Sequence, residues 1–340
     1  MQKFKNLQEL ILPTVANTEL LEVIARSMKN LRLLDISCST NVTDFSIMAL
    51  ITDDSQCCQV LEQIFLDGTS ITTDGILILL AKMNHLELLE SSLLERALDM
   101  VPIENRSLNL RKITVGRFWR GMDILQNLPK LCPKLCQIIL PNLSPEECNF
   151  LQKFQQLPTL QHVYLAQVKY EALLSVLPCF GSQLKTFSYS NFTEYVDLTP
   201  LLKICSNLEC LGINSGSINL ANFQDQLPKK LSELRLNVHA LIPFEVWSQF
   251  LQVCHELLYL DVTPPEGLND QSFATILSKN SQILSKIRSF IIRGRHCAGD
   301  IALTEQSIEV LSNRSTSLTC IGNCSTWSLL PENRTEFIRF

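Results

Sequence analysis

The sequence predicts an α/β solenoid, a horseshoe with parallel β-strands on its concave face, helices on its convex face and about thirteen repeats. Three observations lead there. The template L-x-x-Φ-x-Φ, with Φ apolar, begins at Leu7, Leu31, Leu61, Leu86, Leu110, Leu135, Leu160, Leu184, Leu208, Leu231, Leu257, Ile287 and Leu318. Most neighbouring anchors lie about 24 residues apart, the period of a stacked supersecondary unit. Amphipathic helical stretches occupy the intervals.

Each template marks a strand, and its apolar positions alternate with outward-facing ones. Only Ser91 and Asn323 break the apolar pattern. The first interval holds Glu19-Leu20-Leu21-Glu22-Val23-Ile24-Ala25, spaced for a helix over Thr18 to Asn30. Thr72-Thr73-Asp74 supplies capping residues for a helix that is apolar from Ile76 to Met83. Ser144-Pro145-Glu146-Glu147 places a cap, a proline and two acids in one first turn. Pro243 to His255 is amphipathic through Phe244, Val246, Trp247, Phe250, Leu251 and Cys254. Strand, helix and strand at one short period require parallel strands and right-handed crossovers. A single repeat domain over residues 1–340 is expected. Its terminal repeats are expected to be incomplete or uncapped, with an apolar flank and an open sheet edge at each end. A longer form of the chain is the favoured explanation of those ends, and a partner covering one of them the other.

These residues resemble leucine-rich repeats of the cysteine-containing type, found in F-box/leucine-rich-repeat proteins. That family places a Cys three residues before the first strand Leu, as Cys58, Cys132, Cys205 and Cys254 stand before Leu61, Leu135, Leu208 and Leu257. It also favours a helix start like Ile71-Thr72-Thr73-Asp74-Gly75-Ile76, approached again by Asn41-Val42-Thr43-Asp44-Phe45. The resemblance implies substrate recognition for a ubiquitin ligase, with ligase subunits among the partners. No F-box is readable ahead of Leu7.

Composition removes other classes. With 46% apolar residues the chain is not disordered, and no apolar run approaches a membrane span, so no membrane partner is expected. Net charge is −5, which gives nucleic acid no overall attraction. The 13 cysteines are odd in number and contain no C-x-x-C pair. Free thiols in a reducing compartment, cytosol or nucleus, are the simpler reading. The N-x-S/T sequons at Asn41, Asn105, Asn142, Asn191, Asn313, Asn323 and Asn333 favour an extracellular recognition receptor as the minority alternative. Against it, the N-terminus lacks the apolar core of a secretory signal. There is no nucleophile elbow, dinucleotide fingerprint or phosphate loop, and the histidines are scattered. His296-Cys297 is two ligands short of a tetrahedral metal site. No catalysis, cofactor or metal is therefore expected.

Binding is expected on the concave face, where the third, fifth and seventh template positions point outward. The candidates are Phe65, Asp67, Lys112, Gln137, His162, Tyr164, Glu233, Arg235, Tyr259 and Asp261. Two rim loops add Arg117, Trp119 and Arg120 after the fifth strand and Arg293 after the twelfth. Aromatic residues and arginine dominate interface energies, so the set suits a protein partner. A structural or inhibitory scaffold gripping one partner, with no ligase link, is the alternative function.

Overall fold

The computed structural model describes residues 6–52, 54–102, 107–115, 122–219, 228–240, 242–279, 282–293, 301–322, 324, 327–329 and 337–339. The chain divides into two compact units. One comprises Met1–Pro141 and Phe150–Gln161, the other Asn142–Asn149 and His162–Phe340.

The first unit contains β1 (Glu9–Ile11), α1 (Thr18–Ser27), β2 (Leu33–Asp35), α2 (Asp44–Leu50), β3 (Gln63–Phe65), α3 (Thr73–Lys82), β4 (Leu88–Glu90), α4 (Leu94–Met100), β5 (Lys112–Thr114), α5 (Met122–Leu131) and β6 (Gln137–Pro141). Its six strands pair in chain order, all parallel. The second unit contains α6 (Pro145–Cys148), β7 (His162–Ala166), α7 (Tyr170–Val176), β8 (Thr186–Asp197), α8 (Leu198–Ile204), β9 (Cys210–Asn219), β10 (Glu233–Val238), α9 (Phe244–Val253), β11 (Tyr259–Val262), α10 (Asp270–Lys279), β12 (Ser289–Ile292), α11 (Glu305–Arg314), β13 (Cys320–Gly322) and β14 (Phe337–Arg339). Here β7 to β13 pair in chain order and in parallel. This is the α/β leucine-rich-repeat solenoid that the spacing predicts. The antiparallel β14, which the repeat template did not anticipate, lies along β13. No helix among the described residues is long and apolar enough to cross a membrane.

Each of β1 to β13 opens two residues after its template anchor. The anchors and their Φ positions form the core. Leu61, Ile64 and Leu66, or Leu208, Leu211 and Ile213, are almost wholly buried, while the residues between them face outward. In repeat after repeat the anchor's N–H donates to the carbonyl three residues earlier. Leu135 donates to Cys132, Leu160 to Leu157 and Leu231 to Pro228. That preceding residue closes the helix and drops into the core, which is why the slot takes Cys132, Cys205 and Cys254 as readily as Met28 or Met83. The thiols act as small apolar fillers. Burial pushes Cys132 and Cys205 up to about 12 and raises Cys254 as well. In the native protein, iodoacetamide is therefore expected to label exposed Cys38 and Cys179 and to spare these three. Peptide mass mapping before and after denaturation checks this.

The helix starts follow their caps. Asn17 accepts from the Leu20 N–H and Thr72 from Asp74, while Ser144 and Glu147 close a reciprocal capping box. The last of these opens only a four-residue α-helix, which continues as the 3-10 segment Asn149–Gln156. Adjacent repeats are tied through the same caps. Asp44 accepts from both the N–H and the hydroxyl of Thr72, and Asp270 does the same for Thr304.

Many strands end at a left-handed turn. Thr14, Cys38, Gly68, Asn142 and Gln167 all stand seven residues after an anchor, and all have φ between 54° and 75°. In these repeats the left-handed residue turns the chain off the sheet after a strand of three to five residues, while β4 and β11 end as early with Leu93 at φ −99° and with Pro264 in that place. The repeats of β8, β9 and β10 place Asn191, Ser215 and Val238 there, without positive φ, and these strands run to 12, 10 and 6 residues. A side chain in the left-handed region costs roughly 1–2 kcal/mol, and glycine's extra unfolded-state freedom roughly 0.5–1 kcal/mol. Gln167→Gly is thus expected to stabilise the protein by about 0.5–1 kcal/mol, read as a higher urea midpoint.

Candidate functional site

The outward-facing positions make two kinds of surface. In the first unit, Phe65, Asp67, Lys112 and Gln137 are all half-buried on the face away from the helices. Lys112 and Gln137 are register partners on β5 and β6. Asp67 is engaged locally, accepting a 2.6 Å hydrogen bond from the Ser92 N–H, so it holds the next repeat's turn. No bonded cluster joins these four. Arg117, Trp119 and Arg120 lie outside the described residues.

The second unit gathers its candidates. Parallel register aligns His162, Thr186, Cys210, Glu233, Tyr259 and Ser289 in one row across β7 to β12. The next row outward along the strands is Tyr164, Ser188, Gly212, Arg235, Asp261 and Ile291. Contacts knit the two rows together. His162 Nδ1 lies 3.0 Å from Thr186 Oγ1. Burial and the nearby Lys185 ammonium hold its imidazole below the ordinary histidine value, so the ring is neutral near pH 7. The Cys210 thiol donates to Glu233 over 3.5 Å, and burial, reinforced by that carboxylate, pushes it up to about 11. Glu233 also pairs with Arg235 at 3.5 Å, and the Arg235 guanidinium sits 4.8 Å from the centre of the Tyr259 ring. Burial raises Tyr164 and Tyr259 above the ordinary phenol value, so both remain hydroxyl donors.

Asp261 departs from the expectation of an exposed rung. Its row position is as predicted, but it is only 5% exposed. Arg293, one residue past β12, reaches across and donates from Nε and a terminal nitrogen, both at 2.6 Å. A fork-on-fork pair of this kind covers the carboxylate and leaves the guanidinium half exposed.

The offset rule also applies to the ninth repeat, where it brings in Cys210, Gly212 and Asn214, which are absent from the predicted set. A second omission has no template signal. Strand β8 carries a bulge between Asn191 and Tyr195. It leaves Phe192 and Tyr195 half exposed and sets Phe192 edge-on to His239, with ring centres 5.1 Å apart. The alternation Phe187-Ser188-Tyr189-Ser190 is the only hint that this strand continues. Among the described residues no three of His, Cys, Asp and Glu gather closely enough to hold a metal ion.

Comparison with known proteins gives the following. No protein-family model matches the sequence, and no curated protein does. Among solved structures, the chain is similar to an internalin from Listeria monocytogenes at 15% identity, covering 85% of this chain and 84% of that one, with a TM-score of 0.44. It is similar to the Rad7 and Elc1 complex of yeast at 13% identity, covering 90% and 82%, with a TM-score of 0.44. A leucine-rich-repeat protein of Leptospira interrogans matches at 12% identity over 94% and 91%, with a TM-score of 0.37.

Proposed function

We propose that this protein is a non-enzymatic scaffold that binds a protein partner on the helix-free face of β7 to β12. The observation that carries the reading is the bonded patch of Glu233, Arg235, Tyr259, Asp261 and Arg293, with Tyr164 in the same row as Arg235. Tyrosine and arginine are the residue types that anchor interfaces, and Tyr259, Arg235 and Arg293, held on rigid strands and through their pairs, lose little freedom on binding. The free thiols of the described cysteines suit a cytosolic or nuclear location.

The finer proposal is substrate recognition for a ubiquitin ligase, supported by the cysteine-containing repeat pattern. The competing reading is an inhibitory scaffold. Proteasome blockade separates them, because a ligase substrate accumulates and an inhibited partner does not.

Tyr164→Ala tests the face itself. It removes a half-buried ring without opening the core, so the thermal transition is expected to stay in place. Affinity for a partner crosslinked through this face is expected to fall by about tenfold or more. Loss of folding in this variant would show that the strand phase is wrong. Unchanged affinity for every captured partner would remove the face from the binding site.

A further inference from the structure

One break in the repeat coincides with an opening in the sheet of the first unit. Ser91 stands five residues after its anchor, where neighbouring repeats bury Ile36, Leu66, Val115 and Leu140. The N–H at that position otherwise donates to a carbonyl of the next strand, Leu12 to Asp35, Ile36 to Phe65, Leu66 to Glu90 and Val115 to Ile139. Among the described residues no such bond joins Ser91 to Thr114. Strands β4 and β5 share the single register pair Leu88 and Lys112, whereas β1 with β2, β2 with β3, β3 with β4 and β5 with β6 share three each. A serine hydroxyl gains nothing from burial, so no apolar side chain draws this end of β4 against its neighbour.

A cleft of 210 Å³ opens there, its lining including Asp67, Leu88, Glu90, Ser91, Ser92 and Thr114. Apolar side chains lead to it across the helix-free face of β1 to β4. Register sets Ile11 diagonal to Leu33, Leu33 to Phe65 and Phe65 to Leu88. Ile11 is 60% exposed, and the other three are half-buried. Strands spaced by about 4.8 Å make this track about 14 Å long, which an extended chain at about 3.3 Å per residue crosses in about five residues.

The charge around the track is unbalanced. Arg32 pairs with Glu62 and Arg111 with Glu87 at the strand starts. Among the described residues, Glu9, Asp35, Asp67 and Glu90 have no ion-pair partner, and Lys112 is the unpaired cation that shares their two rows. Asp67 bonds the Ser92 N–H through one oxygen and keeps the other. A basic segment is therefore attracted here, and an acidic one repelled. Among the described residues no three of His, Cys, Asp and Glu gather closely enough for a metal ion, so the fitting cation is one that donates hydrogen bonds. The Thr114 carbonyl, without the donor its counterparts have, adds an acceptor beside the carboxylates. We propose that this face docks an extended, basic segment of a protein partner, its apolar residues lying along Ile11, Leu33 and Phe65 and one arginine or lysine head entering the cleft beside Asp67 and Glu90. This is a second contact surface, additional to the patch on β7 to β12.

Randomised peptides displayed on phage and panned against the immobilised full chain test it. The enriched sequences are expected to carry an arginine or lysine close to apolar residues at alternate positions, and to be released as salt rises. Glu90→Gln, which keeps the shape of the side chain and removes its charge, should lower their retention at least about tenfold with an unchanged thermal transition. Ser91→Leu restores the template residue and should lower retention as much by closing the cleft. An uncharged or acidic consensus would overturn the inference, as would the absence of enrichment. So would retention undiminished by Glu90→Gln, or by Ser91→Leu where that variant keeps its thermal transition. Should Ser91→Leu fail to fold, Glu90→Gln alone decides.

Discussion

Leu211→Asp is expected to abolish the cooperative fold of the second unit around β8 to β10. Leu211 is fully buried, with Phe187 and Leu234 as its register partners on the two flanking strands. Removing its burial forfeits about 1.5–3 kcal/mol, and an unpaired carboxylate in the same place costs several kcal/mol more. Domains hold only about 5–15 kcal/mol in reserve. No repeat encloses its own core, so a fault in one layer exposes the neighbours' apolar sides as well. Hydrogen exchange is the direct measurement, with protection of the β8, β9 and β10 amides collapsing together. Leu211→Met, which conserves volume, should cost under about 1.5 kcal/mol and keep that protection. Loss confined to β9, with β8 and β10 still protected, would show that adjacent coils do not depend on one another.

The repeat was legible because two independent constraints coincide on the same residues. Anchors such as Leu135 and Leu208 must close a turn through their N–H and also fill the core, so the chain repeats both at one period. The open face followed from strand alternation, and His162, Tyr164, Glu233, Arg235 and Tyr259 fall where that rule puts them. What the template could not supply is whatever depends on a conformation between repeats. Strand β8 runs on past Asn191, which lacks the left-handed φ that Asn142 adopts at the same place in its repeat. The sequence therefore leaves both outcomes open. The bulge that carries Phe192 brings its carbonyl within 2.7 Å of where a Cβ on Gly216 of the neighbouring strand would stand, a relation with no sequence period. Asp261 was misjudged for a similar reason. Alternation sets the direction of a side chain, while its burial is decided by Arg293, 32 residues away.

Arg293→Ala is the second large effect expected, and it tests whether that pair is structural. In the native protein the guanidinium, held up in pKa mainly by its hydrogen bonds to Asp261, meets a carboxylate that is almost wholly buried. Removing one partner of a buried pair strands the other charge, typically at about 3–5 kcal/mol. Arg293 is half exposed, so water can enter where it was and soften the loss, to about 2–3 kcal/mol. The remaining neighbour is the Tyr259 hydroxyl at 3.4 Å, too long to replace two short charged contacts. The double variant Asp261→Asn with Arg293→Ala removes the stranded charge and should recover most of the stability, giving a coupling of about 2 kcal/mol in a double-mutant cycle. Urea denaturation of the four proteins measures it. Equal, additive losses would mean that Asp261 is solvated independently of Arg293. In that case Arg293 stands free for a partner on this face.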